Sequence, residues 1–300
     1  MKNLGNILFT FVLMGLVVFV YLNIDTISDK INEFLVSQKD IIIKDSNIYT
    51  RDYDYISFNY DEDYIPLSNE DFKNIYFNIL NNGWDDFTFY CPKEYESCMD
   101  DIQVFANDKI VLSDINSYVN PYNSFSSIDT TVSSNREINV KVNKKYSDEK
   151  IMTINNKVLE ILNSLNLEGL SDIDKIKAVH DYIINNTSYD KEGANGNDTP
   201  YDSTSAYGTL IENFSVCSGY SDAMAIFLDI LKIPNLKITS DNHIWNLVMV
   251  DGKYLHLDLT WDDVDNPKYK NNYFLIDTNQ LLSLDNKEHN FNRDFFLEAK

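Results

Sequence analysis

The feature that most limits how this chain can fold is short: Asp251-Gly252 set between two apolar runs. Asp-Gly flanked this way is the strongest short-range signal for a two-residue β-hairpin turn. With the turn fixed, the register follows. Val250 faces Lys253, Trp245 faces Asp258 and His243 faces Thr260. Side chains alternate along a strand, so His243, Trp245 and Leu247 share a face with His256, Asp258 and Thr260. Leu255, Leu257 and Leu259 point to the other, buried face. His243 and Asp258 become diagonal neighbours, about 7–8 Å apart at Cα and within reach of a carboxylate–imidazole hydrogen bond. A carboxylate on a face otherwise built for a core needs a partner.

A thiol stands upstream of this pair. Cys217 lies in Ser215-Val216-Cys217-Ser218-Gly219-Tyr220, where the apolar helix through Leu231 begins. The free amides and positive dipole end of a helix N-terminus favour thiolate over thiol. Cys217, His243 and Asp258 together supply an activated nucleophile: the imidazole takes the thiol proton and the carboxylate fixes its tautomer. His256, on the same face, is the competing base. His180 falls on the apolar stripe of its helix and is read as a core residue. His289, in a polar stretch, is read as solvated. No His-x-x-x-His or His-Glu-x-x-His spacing occurs, and no metal or other cofactor is expected.

The N-terminus sets the expected compartment. Leu4–Ile24 carries no charge over 21 residues, enough for a helix to span a hydrocarbon core of about 30 Å. Lys2 precedes it, Asp25 and Asp29 follow, and no Ala-x-Ala cleavage site ends it, which predicts an uncleaved signal anchor over 1–25. The expected location is the cell membrane, single-pass, with the bulk of the chain extracytoplasmic. Cys91 and Cys98 bracket a short loop and suit an exported disulfide. With 47 acidic against 25 basic residues and a net charge of −22, the chain should repel phosphate backbones, so no nucleic-acid partner is expected.

Along the chain, 26–45 reads as a stalk. Residues 46–146, with a helix from Ser68 to Gly83 and strand-like runs such as Ile138–Val142, read as a small α+β domain of unknown role. Residues 147–280 carry the chemistry: two amphipathic helices, a polar loop over 190–204, the Cys217 helix and the hairpin. Residues 281–300 read as a C-terminal tail.

Three blocks then match in order and spacing: Ala206-Tyr207-Gly208-Thr209-Leu210 running to Cys217-Ser218-Gly219-Tyr220; Asn242-His243-Ile244-Trp245-Asn246-Leu247-Val248; and Asp251–Asp263. Over about 150–277 the chain resembles the bacterial transglutaminase-like superfamily of papain-like cysteine acyltransferases and proteases. The resemblance implies an α+β fold in which a Cys-bearing helix packs on an antiparallel sheet. It implies a Cys217–His243–Asp258 triad attacking a peptide or glutamine amide through a thioester, ending in hydrolysis or in transfer to an amine. It also implies an oxyanion donor, taken as the Cys217 N–H with Tyr207 second, and a cleft involving Tyr220, Trp245 and Trp261. Ser218 stands where the animal cross-linking enzymes carry Trp, and Ser215 where Gly is usual. No EF-hand loop is present. The partner expected is a protein or peptide substrate, with cell-envelope material among the options. The alternative is a catalytically silent module of this fold that binds protein or cell envelope.

Overall fold

The computed structural model describes residues 2–36, 41–60, 64–285 and 287–300; the side chains of 1–8, 29 and 32–36 lie outside the description. The elements run α1 (Lys2–Leu22), α2 (Ile24–Val36), α3 (Asn69–Asn81), β1 (Asp86–Tyr90), α4 (Cys98–Asn107), α5 (Lys109–Asn116), β2 (Phe125–Val132), β3 (Glu137–Lys144), α6 (Asp148–Ser164), α7 (Asp172–Asn186), β4 (Ser188–Tyr189), α8 (Lys191–Ala194), β5 (Phe214–Ser215), α9 (Cys217–Ile230), β6 (Asn235–Thr239), β7 (Ile244–Val250), β8 (Lys253–Leu257), α10 (Leu259–Asp262) and α11 (Thr278–Leu284). The fold is mixed α+β.

The expected anchor forms as a helix, α1, and its described side chains from Phe9 to Leu22 are all exposed. Among the described residues, however, no helix is long and apolar enough to cross a membrane. The described apolar stretch falls short of the roughly 20 residues a span requires, and residues 1–8 of the expected anchor lie outside the described side chains. The described fold therefore does not support the span.

Two antiparallel three-stranded sheets organise the rest, with strand orders β1-β3-β2 and β6-β7-β8. The hairpin register is the one the Asp-Gly turn dictates: Val250 pairs with Lys253, Leu247 with His256 and Asn246 with Leu257. Asp251 and Gly252 both have positive φ, 50° and 76°, as a type I′ turn requires.

The β6-β7-β8 sheet is covered on both faces. Leu236, Ile238, Trp245 and Leu247 pack into a core with Phe72, Phe77, Tyr118, Val140, Phe291 and Phe296. Val248, Val250, Leu257 and Leu259 pack into a second core with residues of α6, α7 and α9. Two-sided burial explains why the central strand β7, Ile-Trp-Asn-Leu-Val-Met-Val, is nearly all apolar. Residues 46–146 therefore share one core with the C-terminal segment. Buried Glu298 helps tie the two: Ile56 N–H, Ser57 N–H and Tyr118 Oη–H all donate to its carboxylate. Cys91 and Cys98 are disulfide-bonded, their Cα atoms 5.7 Å apart.

Candidate active site

α9 is buried along most of its length, so its N-terminal residue has a fixed address. The approach there is close. A Cβ on Gly219 would stand 2.4 Å from the Ser203 carbonyl oxygen, which only glycine permits. Val216 N–H donates to that same carbonyl at 2.9 Å. Cys217 opens the helix, half-buried and unpaired by any disulfide. The N-cap residue Val216 has no acceptor on its side chain, so the first-turn amides have no side-chain cap and remain a place for negative charge.

His243 precedes β7, in a turn closed by Ser240 N–H donating to the His243 carbonyl at 2.9 Å. Its Nε2 donates to Asp258 Oδ2 at 2.6 Å. The Cys217 side chain hydrogen-bonds the same imidazole, which leaves Nδ1 for the sulfur. The ring stacks on Trp245, with centroids 5.6 Å apart and planes 17° apart.

Asp258 departs from the simple strand expectation. The ladder stops at Leu257, and the Asp258 N–H donates instead to the Tyr273 carbonyl at 3.1 Å. The chain turns there because Asp258 is also an N-cap: its Oδ1 accepts from the Thr260 and Trp261 amides, opening α10. Thr260 therefore lies in a helix rather than on the strand face. The His243–Asp258 contact forms all the same.

The electrostatics are those of an ion pair. Burial pulls the His243 pKa down, but the Asp258 charge and hydrogen bond, with the Cys217 sulfur, outweigh it and raise the value to about 10. Burial pushes Asp258 up, while His243 and His289 hold it well below the usual carboxylate range.

The other sequence candidates are placed as follows. Trp245 is a buried wall behind His243 and donates its indole N–H to His256 Nδ1 at 2.9 Å. Tyr220 is buried, with its hydroxyl on Asp263 Oδ2 at 2.5 Å. Tyr207 is half-buried, with Lys150 Nζ 5.5 Å above its ring; no described contact joins it to Cys217. His256, the competing base, is fully buried between Trp245 and Thr278. Burial and the neighbouring His289 lower its pKa to about 3. It is a neutral structural residue. His180 is fully buried as expected, held by Asp181 and Asp262.

One expectation is overturned. His289, read as solvated, is fully buried beside His243 and Asp258. Its Nε2 lies 2.9 Å from Asp258 Oδ2 and its Nδ1 2.9 Å from Asp285 Oδ2. The polar residues around it suggested solvent, whereas Phe291, Phe295 and Phe296 carry the segment into the core; those aromatics were the available signal. Tyr189, also not singled out in the sequence, borders the site. Burial raises its pKa, and the charges of Cys217, Glu288 and Asp258 raise it further. His243, Asp258 and His289 place ligand atoms within 4.8 Å of one another, a spacing that suits a metal ion, although hydrogen bonds already join the three.

No family model and no curated protein matches the chain. Among solved structures it is similar to a TGase, 18% identical over 50% of this chain and 49% of that one, with a TM-score of 0.37. It is also similar to a candidate cysteine protease from Cytophaga hutchinsonii, 14% identical over 45% of this chain and 61% of that one, with a TM-score of 0.29. The chain thus spans about half of the first structure and three fifths of the second.

Proposed function

We propose that the chain is a membrane-anchored, extracytoplasmic thiol acyl-enzyme that acts on amide bonds. The observation that carries this is His243, held between the Cys217 thiol and Asp258 Oδ2 at 2.6 Å. The Cys217 proton resides on His243 Nδ1 in a thiolate–imidazolium pair that Asp258 holds, and the thiolate attacks the amide carbonyl carbon. The Cys217 N–H, uncapped at the helix start, faces the developing oxyanion. His243 then returns the proton to the leaving nitrogen, the C–N bond breaks, and a thioester remains on Cys217. Attack by water gives a carboxylic acid, and attack by an amine gives a new amide; His243 accepts the nucleophile's proton and passes it to the departing sulfur. The half-open thiol beside a charged base favours turnover over a silent binding module. The exposed apolar side chains of α1, from Phe9 to Phe19, support anchoring.

The test is alkylation of native protein with iodoacetamide. Cys217 should react faster at neutral pH than an ordinary free thiol, and His243→Ala should remove the excess. An ordinary rate that His243→Ala does not change would sink the reading. A carbonate wash of membranes should leave the full chain bound and release a chain lacking residues 1–25.

A further inference from the structure

The geometry assigns His289 as a positioning residue for Asp258, a role that rests on the triad reading above. An ionised carboxylate has about four lone-pair sites. In Asp258 all four are used: Oδ1 takes the Thr260 and Trp261 amides, and Oδ2 takes His243 Nε2 and His289 Nε2. The two amides hold Oδ1 to the backbone but leave the carboxylate plane free to swing about that anchor. His289 supplies the second hold on Oδ2, the oxygen that meets the base.

His289 is itself held on every side. Its Nδ1 faces Asp285 Oδ2 at 2.9 Å, so each ring nitrogen has a carboxylate oxygen within hydrogen-bond distance. Tyr273 stacks on the ring at 5.3 Å, and Trp245 and Trp261 close two more sides at 4.8 and 5.4 Å. The His243 ring stands edge-on at 5.2 Å. The neighbouring residue ties the segment to the turn before the base, because Ser240 Oγ donates to the Glu288 carbonyl at 2.5 Å. The chain Asp285–His289–Asp258–His243–Cys217 thus sets the orientation of the carboxylate that orients the base.

Two substitutions separate positioning from packing. In His289→Gln the amide nitrogen can reach where Nε2 stood and still donate to Asp258. In His289→Asn the shorter amide reaches only the Nδ1 place beside Asp285. Cys217 alkylation in His289→Gln should stay within about threefold of the wild type, and in His289→Asn it should fall by about tenfold or more, the scale of a misplaced catalytic group. The melting temperatures of the two variants should drop alike. Equal rates in the two variants, whether fast or slow, would overturn the assignment. Asp285, nearer the surface, gives a variant that spares the core. Asp285→Ala should slow alkylation and Asp285→Asn should restore it, whereas a wild-type rate in Asp285→Ala would also overturn the assignment. If wild-type Cys217 is slow and His243→Ala does not alter it, the triad reading itself fails. Fast wild-type Cys217 with an indifferent His289 refutes the positioning role alone.

Discussion

Two buried histidines of one hairpin, His243 just before its first strand and His256 within its second, behave in opposite ways. His243 has its pKa raised to about 10 and His256 lowered to about 3. Burial acts on both in the same sense, against charge. The partners differ: His243 has a carboxylate and a thiol, whereas His256 accepts from an indole N–H and faces a threonine hydroxyl. Trp245 joins the two, stacking on one and donating to the other. A buried imidazole is charged or neutral according to the acceptors around it, and here that separates the end of the hairpin that faces Cys217 from its middle.

The sharpest way to break this contrast is to exchange the roles. His243→Ala should slow Cys217 alkylation, and with it any amide turnover, by roughly 10²–10⁴-fold, the range of general-base contributions. His256→Ala should leave alkylation of the folded protein near wild type. The reverse pattern would make His256 the base. Asp258→Asn should come next, because it keeps the N-cap acceptor but loses the charge that holds His243 protonated. A loss of about tenfold or more in alkylation at neutral pH is expected.

Stability separates the two histidines with smaller effects. His256→Ala leaves the buried Trp245 N–H without its acceptor. The cost should be about 1–3 kcal/mol from that group alone, read by denaturant titration. The pH dependences should run in opposite directions. His243 is raised from 6.5 to about 10, so its contribution is complete below about pH 6.5 and fades as pH climbs through 10. His256 is lowered from 6.5 to about 3, so its contribution is complete above about pH 6.5 and fades as pH falls toward 3. His243→Ala should flatten the alkaline side of the stability profile, and His256→Gln the acid side. Identical profiles in the two variants would erase the contrast.

Much of this was legible in the residues, for a local reason. Asp251-Gly252 admits essentially one turn, and the turn fixes which residues meet on β7 and β8. The His243–Asp258 contact followed from that register even though Asp258 leaves the strand to cap α10. A capping carboxylate and a strand residue look the same until the ladder is seen to stop. His289 was not legible, because its burial depends on a segment far along the chain returning to the sheet. The same holds for residues 46–146. Their helices and strands could be read, but nothing local shows that Phe72 and Phe77 share a core with Trp245 and Phe296.

The mildest test concerns the remaining cysteines. Cys91 and Cys98 close a short loop, with a sequence separation of 7, at the edge of the core that also packs behind Trp245. Chain-entropy loss from so small a loop is worth about 2 kcal/mol. A Cys91→Ser/Cys98→Ser double variant should therefore melt earlier and still fold. Neither cysteine contacts the Cys217–His243–Asp258 group in any described hydrogen bond, so alkylation of Cys217 should keep its wild-type rate and pH profile. In that background Cys217 is the sole cysteine of the chain, and its reactivity can be read without correction. An altered rate there would mean that the core shared across the sheet sets the geometry of the base as well as its support. His243 would then be no better insulated from the N-terminal half than His256.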